Sequence, residues 1–496
     1  MRFHLRNSEN GLEYEGSLSA LLNGETFRFS VNDPSSVRKR FDASEHVLTS
    51  GLKSSPLKIK VENGIIVEVI DTVHYQMNKV IVHKSPFKMD VFSGNDLVMV
   101  INERNMFNFE KARKKGWFNN KAAKNILKMM SYWFSSVCSS FFPKVENDTS
   151  CTDGCWEEPF KGSTDSKPHG PMSVGLDVSF IDFDHVYGLP SHADSLALRN
   201  TKGSIDPYRL YNVDIFEYEL ESPMSLYGAY PLMIAHNIKP KTVGLFWLNP
   251  SETWIDIESS NSGGILSGIV GGNQGIKKTH WISETGIIDI FFLLGPNAFD
   301  VMKQNGDLLG KTPLPPIYSL GHHQCRWNYY SVDEVMDVDN KADVYDIPMD
   351  SIWLDIEYTD GRSKKYFTWD SVYFKEHEMM IRNLTSKGRR LIAIIDPHIK
   401  KESGYPVYDE AASNNFFTKD AKEDKDFEGW CWPGSSCWAD FLNPAVQTWW
   451  SDKFNPKYFP GFDGGLVDIW NDMNEPSVFS GPEITAPRDM RVSYCF

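Results

Sequence analysis

The stretch Gly464-Gly465-Leu466-Val467-Asp468-Ile469-Trp470-Asn471-Asp472-Met473-Asn474-Glu475-Pro476 decides the reading of this chain. A mostly apolar run, Gly464 to Trp470, leads straight into two carboxylates, two amides and a proline. Such a run is the pattern of a parallel strand covered on both faces. Barrels of alternating strands and helices present their reactive groups at the exposed C-terminal ends of these strands. Asp472 and Glu475 are therefore candidate catalytic carboxylates.

Upstream, three further segments repeat the pattern. Ile317 to Trp327 contains a strand ending in Arg326-Trp327-Asn328-Tyr329. Ser351 to Glu357 forms a second, carrying Trp353, Asp355 and Glu357. Leu391 to Ile395 is a third, purely apolar, followed by Asp396-Pro397-His398. Helices fall between them. Ser331-Val332-Asp333-Glu334 has the form of a capping box and opens one. Glu376 to Arg390 reads as another, its basic end, Lys387, Arg389 and Arg390, suited to a helix C-terminus. Asn443 to Phe454 is a third, and Lys400 to Phe427 a polar excursion. Repeated strand-helix units with apolar strands predict a (β/α) barrel or an open parallel sheet.

Carboxylates after three successive strands are costly in a packed interior unless they face a site. Either Asp355 or Asp396 alone would serve to cap the turn that follows it. Three such carboxylates, two of them near a Trp, point to an active site. Asp and Trp without metal-ligand spacing suit glycoside hydrolysis, in which two carboxylates flank the scissile bond. Cys431-Trp432-Pro433-Gly434 fits as an aromatic wall. His322-His323 and His398 show no ligand spacing and read as core or supporting residues. No Gly-x-Ser-x-Gly elbow occurs, and no phosphate cradle; the glycines at 263, 264, 268, 271, 272 and 275 read as a mobile loop. No cofactor is implied.

From the start to about residue 310 the pattern is instead one of short strands. Leu57 to Val80 alternates around the turn Glu62-Asn63-Gly64. Further strand-like runs are His185 to Leu189, Tyr208 to Asp214, Gly244 to Leu248, Trp254 to Ile257 and Ile287 to Leu294. Basic, Ser-rich sequence around 104–155 interrupts them as an insert. Pro313-Leu314-Pro315-Pro316 has a rigid-linker composition.

Among 496 residues, 51 Lys and Arg against 66 Asp and Glu leave a net charge of −15, which disfavours nucleic acid as partner. Seven cysteines make no disulfide framework, though Cys151 with Cys155 or Cys431 with Cys437 could close a local loop. The first residues lack the apolar core of a secretory leader. Ile126 to Phe142 is too short and too often interrupted for a transmembrane segment. Asn147-Asp148-Thr149 and Asn383-Leu384-Thr385 fit the glycosylation sequon, the second inside a probable helix.

Taken together, Trp470 to Ser477, Ser166 to Asp177, Tyr208 to Asp214, Ser283 to Asp289, Cys325 to Tyr329, Trp353 to Glu357, Tyr366 to Asp370, Asp396 to Lys400 and Glu428 to Gly434 resemble the signatures of the family 31 glycoside hydrolases. The resemblance implies an α/β plus all-β fold: a β-sandwich domain over 1–312, then the first half of a (β/α)8 TIM barrel, strands 1–4, over 313–496. It implies a retaining α-glucosidase with Asp472 as nucleophile and Glu475 as its support. Asp355 and Asp396 would hold glucose hydroxyls. Trp327, Trp432 and Met473 would wall the sugar, with Ile394 beneath and Asp214 reaching in from the N-terminal domain. The family's acid/base motif, Trp-x-Gly-Asp-Asn, does not occur, so the chain is expected to be truncated at both ends and inactive or nearly so. The branch it resembles trims α-1,3-linked glucose from N-glycans in the endoplasmic reticulum lumen, with a β subunit as partner and an oligosaccharide as substrate. A cytosolic (cytoplasmic) α-glucosidase acting on glycogen-derived glucans, or a non-catalytic glycan- or partner-binding short isoform, are the competing readings.

Overall fold

A computed structural model describes residues 1–7, 11–36, 39–62, 64–70, 77–112, 159–160, 163–164, 172–215, 217–237, 241–261, 275–420, 425–459, 461, 466–488 and 490–492. The chain divides into two compact units, Met1–Lys311 and Thr312–Cys495.

The first unit is built on two antiparallel sheets, of eight and ten strands among the described residues. Alternation explains their packing. In Thr26–Asn32, Phe27, Phe29 and Val31 face a core that they share with Val178 and Phe180 of Val174–Ile181 in the other sheet. Trp247 from one sheet stacks on Trp281 from the other, ring centroids 5.7 Å apart and planes 19° from parallel. Ile288–Leu293 is buried throughout because both its faces are covered. Ile288, Ile290 and Phe292 enter the inter-sheet core, while Phe291 and Leu293 meet a helix, Ala298–Leu309, through Val301 and Leu308. Asp289 lies on that helix-covered face, where Arg28 holds it with two bonds of 2.8 and 2.7 Å.

Several expected strands are present with shifted ends. Leu57 to Val80 resolves into Lys58–Glu62, Gly64–Ile70 and Met77–Lys84. Tyr208 to Asp214 is strand only to Leu210, and Asp214 stands exposed in irregular chain. Most of the 104–155 insert, Ile126 to Phe142, the 263–272 glycines, Cys151, Cys155 and Asn147 lie outside the described residues.

The second unit runs β1 (His323–Arg326), α1 (Val332–Val344), β2 (Ser351–Leu354), α2 (His377–Ser386), β3 (Arg390–Ile394), β4 (His398–Lys400), α3 (Pro406–Ser413), β5 (Glu428–Cys431), β6 (Gly434–Trp438), α4 (Pro444–Lys453) and β7 (Val467–Trp470). Strands β1, β2, β3 and β7 pair in that order, all parallel. The polar excursion contains α3, and β4, β6 and β5 form a small antiparallel sheet of their own. Apolar faces of α1 and α2, through Val332, Val335, Met380, Ile381 and Leu384, close over Ile352, Leu354, Leu391 and Ala393.

Local chemistry sets the element ends. Ser331 Oγ accepts the Glu334 N–H, and Glu334 reaches back to the Tyr330 N–H, so the capping box forms one residue out of register. Helix α2 ends at Ser386, short of the expected Arg390, because Gly388 takes a left-handed φ of +75° and turns the chain. Lys387 and Arg389 then pair with Asp339 and Asp343 of α1 rather than with their own helix end. Cys431 and Cys437, a pair that the sequence left open, are both free. In the β5–β6 ladder Cys437 sits opposite Glu428 and Cys431 opposite Gly434, so the two thiols are not cross-strand partners.

Candidate active site

A carboxylate stands within two residues of the ends of β2, β3 and β7. After Leu354 the chain turns into a short helical segment, Ile356–Tyr358, and Asp355 caps it by accepting the Ile356 N–H at 2.7 Å. Capping and site-facing are thus one placement. Asp396 follows β3, fully buried, its Oδ2 accepting from the Tyr366 hydroxyl at 2.5 Å. Its Oδ1 has no partner among the described residues. Asp472 follows β7 and accepts the Met473 N–H at 2.9 Å. Met473 holds a φ of +61°, a left-handed conformation that an unbranched side chain adopts only when its surroundings impose it.

These three carboxylates feel one another. Burial raises Asp355, and the charges of Asp472 and Glu357 add to that against the Ile356 bond. Burial pushes Asp396 up to about 8; the Tyr366 bond opposes this, and the charges of Asp472 and Asp355 reinforce it. Asp396 thus keeps one buried carboxyl oxygen without a partner among the described residues, beside two other carboxylates. Burial drives His398 the other way, down to about 3, so its imidazole is neutral.

Aromatic and sulfur groups border the cluster. Trp432 and Pro433 form the two-residue link between β5 and β6, and Trp432 is 51% exposed with its edge toward Phe479, centroids 4.8 Å apart. Met473 and Phe479 pack on the buried Phe427, Cys431, Trp438 and Val478. Trp327 stands 59% exposed beyond β1. On the sheet, Trp353 and Trp470 meet at 5.1 Å with planes tilted 59°, and the Trp353 indole donates to His323 Nδ1 at 3.0 Å.

Of the residues expected at the site, Asp355, Asp396 and Asp472 are brought together, with Met473 and Trp432 sharing the Phe479 cluster. Glu475 is half-buried in the turn that follows Asp472. Ile394 is closed into the core at 2% exposure, and Asp214 belongs to the first unit. Tyr366 and His398 carry Asp396; the sequence reads His398 as a core or supporting residue and assigns Tyr366 no role. Among the described residues no group of three His, Cys, Asp or Glu could hold a metal, and no helix is long and apolar enough to cross a membrane.

Comparison with known proteins bears on this arrangement. Residues 312–494 match the TIM-barrel domain of glycosyl hydrolases family 31. Residues 18–256 match the galactose mutarotase-like N-terminal domain of glycosyl hydrolase 31. The chain is 44% identical over 421 residues to neutral alpha-glucosidase AB of Homo sapiens, covering 83% of this chain and 44% of that protein. It is 40% identical over 502 residues to the glucosidase 2 subunit alpha of Schizosaccharomyces pombe, covering 97% of this chain and 50% of that one. The chain thus spans about half the length of the curated relatives it matches. A crystal structure of a glucosidase II alpha subunit bound to DNJ superposes with a TM-score of 0.81 at 38% identity, over 99% of this chain and 51% of the other.

Proposed function

This chain belongs to family 31 of the glycosyl hydrolases, and from that premise we propose that its protein is a retaining α-glucosidase that trims α-1,3-linked glucose from N-glycans. The observation that carries the reading is the cluster of Asp355, Asp396 and Asp472 at successive strand ends, with one buried oxygen of Asp396 unpartnered among the described residues.

In this reading Asp472 attacks the anomeric carbon and forms a glycosyl-enzyme, which water later opens. Its ionised oxygens also oppose the positive charge that develops on the ring. Asp355 and the open Oδ1 of Asp396 accept hydroxyl protons of the glucose being cleaved off. Trp327, Trp432 and Met473 line its apolar faces, Ile394 packs beneath and Glu475 steadies the loop of the nucleophile. A solved heterodimer of glucosidase II, its catalytic subunit together with the binding domain of a regulatory subunit, also matches at TM-score 0.81. It supports a β subunit as partner and the endoplasmic reticulum as the place of work.

Retaining hydrolysis needs a proton-donating carboxyl about 5 Å from the nucleophile. The two carboxyls set beside Asp472 are both committed to holding the sugar. The 496-residue chain alone is therefore proposed to bind glucose mimics without turning substrate over. Two measurements test this. Calorimetry with DNJ should show binding that Asp355→Asn and Asp396→Ala each weaken at least tenfold; no binding to the intact chain would sink the site assignment. Assay on p-nitrophenyl α-glucoside should show no release, and turnover abolished by Asp472→Asn would overturn the inactivity.

A further inference from the structure

Three fully buried side chains meet in a compact triangle, Asp396, Tyr366 and His398, with His398 Nε2 also 3.6 Å from Asp396 Oδ2. The Tyr366 hydroxyl lies 2.5 Å from Asp396 Oδ2 and 3.0 Å from His398 Nε2. A phenol has one proton to give and otherwise accepts. Two arrangements therefore satisfy the chain. In the first, His398 Nε2–H donates to Tyr366, and Tyr366 donates to a charged Asp396. In the second, a protonated Oδ2 donates to Tyr366, and Tyr366 donates to a bare Nε2, with the imidazole proton now on Nδ1. The arrangements differ by one proton. It arrives at Nδ1, the Nε2 proton moves to the phenol oxygen, and the phenol proton moves to Oδ2. No hydrogen bond is lost in the exchange. His398 Nδ1 has no partner among the described residues, so neither tautomer is locked from that side.

We propose that Tyr366 and His398 are positioning residues for Asp396, forming a hydrogen-bond chain that reverses direction on protonation and keeps Oδ1 open to a sugar hydroxyl in both states. Asp355 and Asp472 act on Asp396 from the ends of β2 and β7. Tyr358 and Cys431 also sense it, and Trp438 of β6 faces the His398 ring at 6.3 Å. The Asp396 carboxyl is pushed up to about 8 by burial and by its two charged neighbours, against the Tyr366 bond. The proposal rests on Asp396 as a hydroxyl-binding group, but its first test does not.

That test labels the histidines of the 496-residue chain with ¹⁵N and follows two-bond proton–nitrogen spectra from about pH 5 to pH 10, with His398→Gln to assign the signal. His398 should pass from the Nδ1–H to the Nε2–H tautomer as pH rises. A single tautomer throughout, or conversion to imidazolium, would overturn the proposal. The second test titrates D-glucose, which is neutral over this range, into wild type and Tyr366→Phe. Loss of the phenol donor should move the midpoint of the binding profile up by about one pH unit. An unmoved midpoint would show that the hydroxyl merely packs. Should glucose fail to bind while the tautomer switches, the hydrogen-bond chain stands and the sugar-site reading falls.

Discussion

At the level of single residues, Asp396 links chemistry to stability. Its carboxyl is raised from 3.8 to about 8. The folded protein therefore holds a proton over that interval that the unfolded chain has released. Stability must fall as pH rises through the window, and the full cost is present above about pH 8. Asp396→Asn keeps an acceptor for Tyr366 and removes the charge. It should raise the melting temperature of the second unit at pH 8, by the equivalent of about 2–5 kcal/mol, and have no such effect at about pH 4. Calorimetric scans at the two pH values would show this; equal shifts at both would contradict the assigned cause. A stabilising substitution at Asp396 would mark the carboxyl as one retained at a cost to the fold.

At the level of elements, the α1–α2 junction is held by charge. Asp339 is fully buried and accepts from Arg389 and Lys387, and Asp343 pairs with both. Arg389→Ala leaves a buried carboxylate with half its compensation and should cost about 3–5 kcal/mol, whereas Asp343→Ala, at a solvated position, should cost far less. Urea unfolding of the two variants would separate these. This junction also shows where sequence reading stopped short. In the sequence the basic residues after α2 suit the helix end, because dipole arguments are local. Gly388 turned them instead toward a helix 44 to 50 residues earlier in the chain. Strand ends were legible because an apolar run followed by a carboxylate is a contiguous pattern. That made Asp355, Asp396 and Asp472 visible, while Tyr366, 30 residues from Asp396 in irregular chain, had no such signal. Ile288–Leu293 was legible as a strand, but the helix covering its outer face was not, since a continuous apolar run does not say what covers it.

At the level of the whole molecule, the second unit carries apolar surface that the described residues do not cover. Leu314 is 95% exposed, Ile317 84% and Leu320 68%. β1 and β7 are paired on one side only among the described residues. Open parallel edges with nearby apolar groups favour association between chains. Sedimentation of the 496-residue chain should show concentration-dependent self-association, reduced when Leu314 and Ile317 are both replaced by Lys. A monodisperse monomer at all concentrations would mean that these edges are covered in solution.

The Trp353–Trp470 pair has a consequence for observation. Two indoles 5.1 Å apart and tilted by 59° meet the geometric condition for exciton coupling of their electronic transitions. The far-ultraviolet circular dichroism of the chain should therefore carry a couplet from this pair that Trp353→Phe removes. Trp470 is two residues from Asp472, so the couplet is an optical gauge placed directly behind that carboxylate. It would report distortion of that strand end when a ligand enters, without any label or any turnover.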